Sequence, residues 1–566
     1  MTYLSRAPAS GQFVCPTTST GSLRMGVWIC GRITWLLGLL CFILWSSGGK
    51  ALAADAVVAV VVRPSGWAKA LEHWKQYRQE QGYEIVELDS ELGRDAARQE
   101  IVALAAQHKD KLQYVLLAAD ANGDPAITIP AYYHPSKAMV QFGGDKTLAT
   151  DVDYGDVDFD GSPDLAIGRI PADSPEQLHD ALERVIQYEQ LQNFSSWRRD
   201  VHVVAGVGGF GMLADSIIEM TTRRFLADRI PGWSKVSMTQ ASVQSHYCPD
   251  PFQFDKTCVA RLNQGGMFWV YIGHGHVQTL DSMRFGQQFL PILNNEYISQ
   301  IDTREQPPVA IFLACYTGAY DASSDSLAEE LVMSGTGPIA ALAASRVSGP
   351  YGLAMLSDGL LSHCFEDPTE TLGLVILKAK KRLLRENLEP VLSAGTNEQL
   401  SMIQAIAQAL SPTDYDLYSE HTEHVWEMNL LGDPMLRLSY PEQLEVAVAT
   451  QAAPGSVVEV RGQTAHGGNI VVELAYRRGQ VRRELDALAA DPNTKPGRTV
   501  QQQRYEKVND DVIASVLHQH TSGEFVIPLQ IPDDVTRGKY CIRVFHEQPH
   551  GWGVGYAEIS IRPPRN

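Results

Sequence analysis

Two apolar segments of this 566-residue chain end at side chains that can do covalent chemistry. Residues 270–276 read VYIGHGH and residues 310–318 read AIFLACYTG, so the first run ends at His274 and the second at Cys315. Ligands of open α/β sheets bind at the carboxyl ends of the strands, where two such residues would meet. A histidine beside a cysteine withdraws the thiol proton and leaves a nucleophilic thiolate. The pattern therefore predicts a cysteine peptidase.

The surroundings of these side chains leave room for a substrate. Glycines flank His274, and glycine lets the backbone approach a ligand closely. The amides of Gly275 and Cys315 are predicted to point at the oxyanion of a tetrahedral intermediate, where one such donor contributes about 3 kcal/mol. Two other interpretations stay open. Cys315 can be a buried structural thiol, or His274 and His276 can bind a metal ion with Asp281 as the third ligand.

A second group of residues with recognisable chemistry is acidic. Residues 156–164 read DVDFDGSPD, with acids at loop positions 1, 3, 5 and 9 and glycine at position 6, as in the front half of a calcium loop. Position 12 is Ile167, so the segment is not an EF-hand. The alternative is a solvated acidic turn, but closely spaced carboxylates repel one another without a cation. We predict a structural calcium ion with the ligands Asp156, Asp158, Asp160, Ser162 through its carbonyl, and Asp164.

The first 53 residues are predicted to be a signal peptide. Arg32 precedes the apolar run 33–45, which is short for a membrane span, and residues 51–53 (Ala-Leu-Ala) form a small-x-small cleavage site. Met25 is an alternative start. An uncleaved anchor is the competing interpretation. Because no second long apolar segment follows, we expect no stable membrane insertion after cleavage and a secreted or cell-envelope location.

Composition excludes some partners. Of the 47 basic and 66 acidic residues, four basic residues and no acid lie within residues 1–53, so the rest of the chain has a net charge near −23. Such a surface repels nucleic acid and anionic membranes, and we expect neither as a partner. The 44% hydrophobic content is ordinary for a folded globular protein, and the length predicts two or three domains.

Five cysteines follow the predicted signal peptide, and their odd number leaves at least one thiol unpaired. Cys248 and Cys258 flank a short loop and could form a local disulfide. Cys315 is the cysteine that we predict to be free.

Between residues 56 and 345, apolar runs alternate with helical patterns. Continuous runs of Val, Ile and Leu separated by helices predict a parallel sheet that is covered on both faces. The predicted strands are 57–62, 83–88, 114–119, 201–206, 267–272, 309–314 and 339–344, and helices are predicted at 67–81, 175–192 and 324–333. Residues 353–410 are helix-rich and are expected to pack against this sheet.

The pattern changes after Gly432-Asp433-Pro434, where short alternating runs predict a small antiparallel β-sandwich. The polar stretch 480–510 is predicted to be a long exposed loop. The predicted domains are the signal peptide at 1–53, an N-terminal α/β subdomain with the calcium loop at 54–195, a catalytic α/β subdomain at 196–440 and an immunoglobulin-like β-sandwich at 441–566.

Several stretches, in this order along the chain, resemble the gingipain-type cysteine peptidases, whose catalytic domain is caspase-like. They are the acidic loop running into Ile167-Gly168-Arg169-Ile170, a helix ending near Tyr188-Glu189, the His274 and Cys315 blocks, the helix at 327–333 with Gly335-Thr336-Gly337-Pro338, and Trp426 with Gly432-Asp433-Pro434. The resemblance covers roughly residues 55–450. It implies an α/β fold with a caspase-like, mostly parallel sheet flanked by helices, followed by an immunoglobulin-like β-sandwich.

The resemblance also implies roles for individual residues. It makes His274 the general base and acid and Cys315 the nucleophile, with Gly275 and Cys315 as oxyanion donors. The family places a serine where His276 stands. Val207 occupies the position of the acid that orients the histidine in the family, so no catalytic triad is established.

Substrate preference does not transfer with the resemblance. Asp215 and Glu219 lie near the position of the carboxylate that gives some members arginine specificity, but they do not align with it. Arg346, after the strand at 339–344, is instead predicted to line the primary pocket and favour an acidic or polar side chain. Asp215 is a second pocket candidate.

We therefore predict a secreted cysteine endopeptidase that cleaves protein or peptide substrates through a Cys-His dyad and an acyl-enzyme intermediate. One alternative is a sortase-like transpeptidase of the same family acting in protein secretion, in which an amine replaces water in deacylation. The other alternative is a non-catalytic calcium-binding surface or adhesive protein with an inert Cys315.

Overall fold

The structure is a computed structural model that describes residues 56–209, 211, 229–388, 398–411, 415–478, 485 and 491–562. The predicted signal peptide at 1–53 and the pocket candidate Asp215 lie outside the described residues. None of the described helices is long and apolar enough to cross a membrane.

Up to residue 440, strands alternate with helices. The strands are β1 Val57–Arg63, β2 Tyr83–Asp89, β3 Leu112–Leu117, β4 Tyr132–Pro135, β5 Thr147–Thr150, β6 Ala166–Arg169, β7 Asp200–Ala205, β8 Lys235–Gln240, β9 Phe268–Ile272, β10 Ser282–Phe285, β11 Gln288–Pro291, β12 Val309–Leu313, β13 Ala340–Ala344 and β14 Met428–Leu431. The helices are α1 Glu72–Glu80, α2 Arg94–His108, α3 Pro175–Gln190, α4 Phe254–Asn263, α5 Leu327–Met333, α6 Pro350–Leu361, α7 Leu372–Leu388, α8 Glu398–Leu410 and α9 Leu417–Glu427.

Ten of these strands form one sheet in the order β2-β1-β3-β6-β14-β13-β12-β9-β7-β8. The four strands from β2 to β6 are parallel to one another, and so are the five from β13 to β8. Strand β14 lies between the two groups, parallel to β6 and antiparallel to β13. The two groups therefore run in opposite directions, and the sheet is mostly parallel within each.

The predicted strands correspond to β1, β2, β3, β7, β9, β12 and β13. The interior strands are buried on both faces, with all five residues of β9, β12 and β13 buried, whereas the edge strand β2 is mostly half-buried. Strands β6 and β14 have only four residues and were not predicted from an apolar run. Helix α3 begins after Ser174, whose side chain accepts a hydrogen bond from the Gln177 amide as a helix N-cap does.

A buried ion pair joins the two ends of this domain. Asp433, in the turn after β14, accepts hydrogen bonds from the Arg78 guanidinium at 2.7 Å and from the Trp74 indole at 2.8 Å. Neither the Arg78 nor the Asp433 side chain is exposed to solvent. The Gly-Asp-Pro motif therefore anchors the last strand of the sheet to α1, more than 300 residues earlier.

The C-terminal region consists of two sheets that enclose one apolar core. One sheet has the order β15-β23-β22-β19-β20, with β17 also on β23, and the other is β16-β18-β21. The elements are β15 Glu442–Gln443, β16 Val446–Ala447, β17 Gln451–Ala452, β18 Val457–Thr464, β19 Gly468–Tyr476, α10 Lys495–Asn509, β20 Val512–His520, β21 Gly523–Gln530, β22 Gly538–Gln548 and β23 Gly551–Ile561. This agrees with the predicted β-sandwich.

Helix α10 lies within 480–510, where an exposed loop was predicted. Thr494 caps the helix. Most of the helix surface is polar, so the helix contains few aliphatic residues and has no apolar pattern in the sequence. The Asn509 side chain donates to the Met238 carbonyl and accepts from the Met238 amide, so it satisfies backbone groups of the edge strand β8. The helix thus protects one edge of the large sheet.

The possible disulfide between Cys248 and Cys258 is not formed. Both are free, buried thiols, as are Cys364 and Cys541, whereas Cys315 is free and partly exposed. Burial raises the pKa of Cys248 to about 12, so this thiol stays protonated and behaves as an apolar side chain.

Candidate active site

Adjacent strands carry His274 and Cys315 to one edge of the sheet. Strands β9 and β12 are parallel, and their register pairs Ile272 with Leu313 as the last residues. The Gly273 amide extends the pairing by donating to the Leu313 carbonyl at 3.3 Å. His274 and Cys315 each follow two residues after the last pair, so they leave neighbouring strands side by side.

Gly275 is required by close packing between the two segments. A Cβ atom at this position would lie 2.5 Å from the Cys315 carbonyl oxygen and 2.7 Å from Thr317 Cγ2, both closer than van der Waals contact permits. Gly275 is not among the glycines with positive φ. The glycine therefore serves to let the histidine segment touch the cysteine segment, rather than to adopt an unusual backbone conformation.

The backbone turns sharply directly after Cys315. Tyr316 has a φ of 57°, in the left-handed region that residues other than glycine rarely occupy. Its amide donates to the Arg346 carbonyl at 3.0 Å, which joins this turn to the segment after β13. Strain at such a position is typical of functional sites, and here it projects the cysteine at the sheet edge.

The Cys315 thiol is mostly enclosed and contacts the backbone of Ser348. The Ser348 amide lies 3.4 Å from Sγ, and the Ser348 carbonyl accepts from Sγ at 3.9 Å. Burial raises the pKa of the Cys315 thiol, the Ser348 amide opposes the increase, and the Glu427 carboxylate adds to it. Ionisation of Cys315 therefore depends on a nearby positive charge or proton acceptor.

The backbone of the histidine segment is held by a hydrogen bond from the strand that precedes it. Tyr271, fully buried in β9, donates its hydroxyl to the His274 carbonyl at 2.8 Å, and the His274 side chain itself is partly exposed. His276 is exposed, and its amide pairs with the Thr279 carbonyl. Neither histidine belongs to a group of three metal-ligating side chains among the described residues.

The two predicted oxyanion donors lie at this edge of the sheet. Within the described part of the chain, the amides of Gly275 and Cys315 donate to no backbone carbonyl outside the regular strands and helices. They are the two donors that the sequence predicts for the oxyanion.

The predicted pocket residue Arg346 is already paired. Its guanidinium makes two hydrogen bonds to Asp321, at 2.7 and 2.6 Å, and one to the Thr147 carbonyl. Its role in substrate preference stays a prediction. Val207, which the resemblance aligns with the family's orienting acid, is partly buried.

The sequence interpretation missed three polar residues behind the cysteine. Ser348 contacts the thiol, and Glu427 and His424 lie on α9 with no solvent exposure. Helix α9 reads LYSEHTEHVWE, which has the polarity of a surface helix. The only signal was the position of Glu427 directly before β14, which places it at the same sheet edge as Cys315.

The acidic loop has the predicted ligand chemistry only in part. Carboxylate oxygens of Asp156, Asp158 and Asp164 lie within 4.8 Å of one another. Arg98 donates to Asp156 at 3.0 Å, and Lys381 lies 3.1 Å from Asp164. Oxygen donors suit calcium, but two of these three carboxylates already have a cationic partner.

The other two predicted ligands, Asp160 and Ser162, are hydrogen-bonded to each other. The Asp160 carboxylate accepts the Ser162 amide at 2.8 Å, and Asp160 does not belong to the carboxylate group. Binding of the ion by the Ser162 carbonyl stays a prediction. Gly161 has a φ of 86°, as the predicted sharp turn requires, and its carbonyl accepts the Trp426 indole at 3.0 Å. The loop is thereby attached to α9, next to Glu427.

Three solved structures match most of the length of this chain. The Arg-specific cysteine proteinase gingipain R (RgpB) is 16% identical over 90% of this chain and 98% of its own, with a TM-score of 0.49. The complex of the pro- and mature domains of RgpB from Porphyromonas gingivalis is 16% identical over 89% and 100%, also at 0.49. A structure described only as a protease is 14% identical over 89% and 97%, and its TM-score of 0.51 indicates a shared fold.

At the level of sequence, a comparison with curated proteins finds no match. The profile of peptidase family C25 matches residues 53–439, which include both His274 and Cys315. The match confirms the resemblance to gingipains. Since it covers more than half of the chain, this protein belongs to peptidase family C25, the gingipain family of cysteine-type peptidases.

Proposed function

We propose that this peptidase is an endopeptidase that uses Cys315 as nucleophile and His274 as general base and acid. His274 takes the thiol proton, and the thiolate attacks the scissile carbonyl of a protein or peptide. The amides of Gly275 and Cys315 stabilise the oxyanion, and His274 then protonates the leaving amine. Water, activated by the same imidazole, hydrolyses the acyl-enzyme.

The observation that carries this proposal is the register of β9 and β12, which brings the two side chains to one sheet edge. The packing of Gly275 against the Cys315 carbonyl adds to it, because that contact brings the two segments as close as their backbones allow. No carboxylate is needed to orient the imidazole in this scheme. A dyad suffices for thiolate chemistry, since cysteine is more acidic than serine.

The test combines covalent labelling with turnover. Cys315→Ala should abolish labelling by a thiol-directed peptide probe, and His274→Ala should lower kcat/KM by about 10³-fold. Cys541→Ala is the matched control, because this thiol is buried in the sandwich and its loss should leave labelling unchanged. Labelling that persists in Cys315→Ala would refute the assignment of the nucleophile.

One observation favours the alternative of a non-catalytic protein. Burial raises the pKa of Cys315, which opposes formation of the thiolate. A catalytic dyad predicts rapid alkylation of Cys315 at neutral pH that His274→Ala slows, whereas an inert thiol reacts slowly in both proteins. Mass analysis of products from a peptide mixture also separates hydrolysis from transpeptidation, because only the latter yields amine-ligated products.

We further propose that the loop 156–164 binds calcium as a structural ion, with Asp156, Asp158 and Asp164 as its carboxylate ligands. The proximity of their oxygens supports this. Calcium should raise the unfolding temperature relative to EDTA by mass action, and Asp158→Asn should remove the increase. Asp158 is the informative position because it has no Arg or Lys partner among the described ion pairs. Equal unfolding temperatures with calcium and EDTA would refute the site.

Export from the cytoplasm is part of the proposal. The support is the apolar run at 33–45 followed by Ala-Leu-Ala at 51–53. Fused to its own N-terminus, the protein should be recovered outside the cytoplasm with a mature terminus at residue 54. Full-length protein retained in the cytoplasm would contradict the prediction.

A further inference from the structure

Helix α9 brings a group of ionisable side chains into the interior behind Cys315. Glu420, Glu423 and Glu427 are each at most 2% exposed. Glu420 accepts hydrogen bonds from the Gly352 amide and the Tyr415 hydroxyl. Glu423 is surrounded by donors, which are the Ser136 hydroxyl and the amides of Lys137, Ala138 and Met139. Glu420 and Glu423 therefore have structural roles.

Glu427 differs from the other two carboxyl groups. It has no solvent exposure, and in the described region neither of its carboxyl oxygens has a hydrogen-bond partner. The nearest opposite charge is His424, whose Nε2 lies 3.4 Å from Oε1 and also lacks a hydrogen-bond partner. An unpaired buried carboxylate is strongly unfavourable, so this arrangement must hold a proton.

The position of that proton follows from the other ring nitrogen of His424. Nδ1 lies 2.6 Å from the Glu420 carbonyl oxygen. A carbonyl oxygen only accepts, so Nδ1 carries a hydrogen in every state of the ring. The remaining proton of the pair is therefore on Nε2 or on the Glu427 carboxyl, and the pair is neutral overall while it keeps that proton.

Ser348 connects this pair to the nucleophile. Its amide lies 3.4 Å from Cys315 Sγ, while its hydroxyl is buried without a full hydrogen bond and is close enough to the Glu427 carboxyl to lower that group's pKa. The Ser345 amide donates to the Glu427 carbonyl at 2.9 Å, which fixes the end of α9 against the strand that precedes Ser348. The end of α9 is thus hydrogen-bonded to the segment that carries Ser348.

The groups that face Glu427 determine when the pair loses its proton. Burial raises the pKa of Glu427 to about 7, the charge of His424 opposes the increase, and Glu423 and Glu420 add to it. Tyr415 belongs to the same group, and burial keeps its hydroxyl protonated. The Glu427 carboxyl therefore changes charge near neutral pH, and its negative charge raises the pKa of Cys315.

We propose that His424 and Glu427 are positioning residues that govern the ionisation of Cys315 by holding one proton between them. The inference rests on the proposed role of Cys315 as the nucleophile. While the pair is neutral, the thiolate forms with help from His274. When the pair loses its proton, the negative charge on Glu427 opposes formation of the Cys315 thiolate. As pH rises, this charge therefore holds back further ionisation of Cys315.

The test is the pH dependence of Cys315 alkylation by iodoacetamide in the full-length mature protein. In the wild type, two coupled groups should give a broadened transition. Glu427→Gln removes the opposing charge, so its transition should narrow and its midpoint should fall by about one pH unit. Ser348→Ala is a conservative second variant; because the hydroxyl favours the ionised carboxylate, its loss should move the midpoint down by a smaller amount.

Glu423→Gln is the matched control, because it removes an equally buried charge one turn earlier on the same helix. It relieves repulsion on Glu427, which then ionises more readily, so the midpoint of Cys315 should not fall. If Glu427 had only a structural role, Glu427→Gln and Glu423→Gln should change the midpoint of Cys315 alkylation in the same way. An unchanged midpoint in Glu427→Gln, or in Ser348→Ala if the first variant does not fold, would overturn the inference.

A third comparison separates this inference from the proposed dyad. His274→Ala should raise the midpoint of alkylation, because the imidazolium that stabilises the thiolate is lost. If His274→Ala has the wild-type profile, the dyad is refuted whatever Glu427→Gln shows. If His274→Ala behaves as expected and Glu427→Gln does not, only the role of the buried pair is refuted.

Discussion

Replacement of Gly275 by alanine tests whether contact between the two catalytic segments sets the geometry of the site. The added Cβ would lie 2.5 Å from the Cys315 carbonyl oxygen, and contacts below 3.0 Å are essentially never observed, so the segments must separate by at least 0.5 Å. A misplacement of about 1 Å lowers catalysis by about 10²-fold, so about tenfold is the minimum expected here. Overpacking should also lower the free energy of unfolding by about 1–3 kcal/mol.

The assay is kcat/KM on a peptide substrate, measured beside urea unfolding so that lost activity is not mistaken for lost fold. Gly66→Ala is the control, because a Cβ at Gly66 meets nothing within 4 Å and should leave both measurements unchanged. Wild-type kcat/KM in Gly275→Ala, within about twofold, would refute the argument that this contact positions the nucleophile and the base.

Three further predictions concern the rest of the fold. Asp433→Asn removes one of the two carboxylates that pair with the buried Arg78 and should lower the free energy of unfolding by about 3 kcal/mol in urea titrations. At Glu473, burial alone would raise the pKa, but two buried arginines hold it below its ordinary value. The ionised Glu473 therefore stabilises the fold fully above pH 4.5, and this contribution is lost as pH falls through the lower folded-state pKa. Glu473→Gln should accordingly weaken the dependence of the unfolding temperature on pH in the acid range. Because Cys248 and Cys258 are free, the mature chain in denaturant without reductant should titrate five thiols, and three would indicate the disulfide.

Much of the architecture could be predicted because strands that are buried on both faces have continuous apolar sequences. The same logic placed His274 and Cys315, since each ends such a run. Helix α10 was missed because its polar surface contacts the sheet edge through single side chains such as Asn509. Glu427 was missed for a related reason: burial of a charged residue depends on partners that lie far away in sequence, and composition alone indicates a surface helix.

The position of β14 in the sheet has a consequence for synthesis of the enzyme. This strand fills the gap between β6 and β13, although more than eighty residues separate it from β13 along the chain. Until residues 428–431 have left the ribosome, no strand connects the two groups of parallel strands. A nascent chain that already contains His274 and Cys315 therefore still lacks the strand that joins the two halves of its sheet.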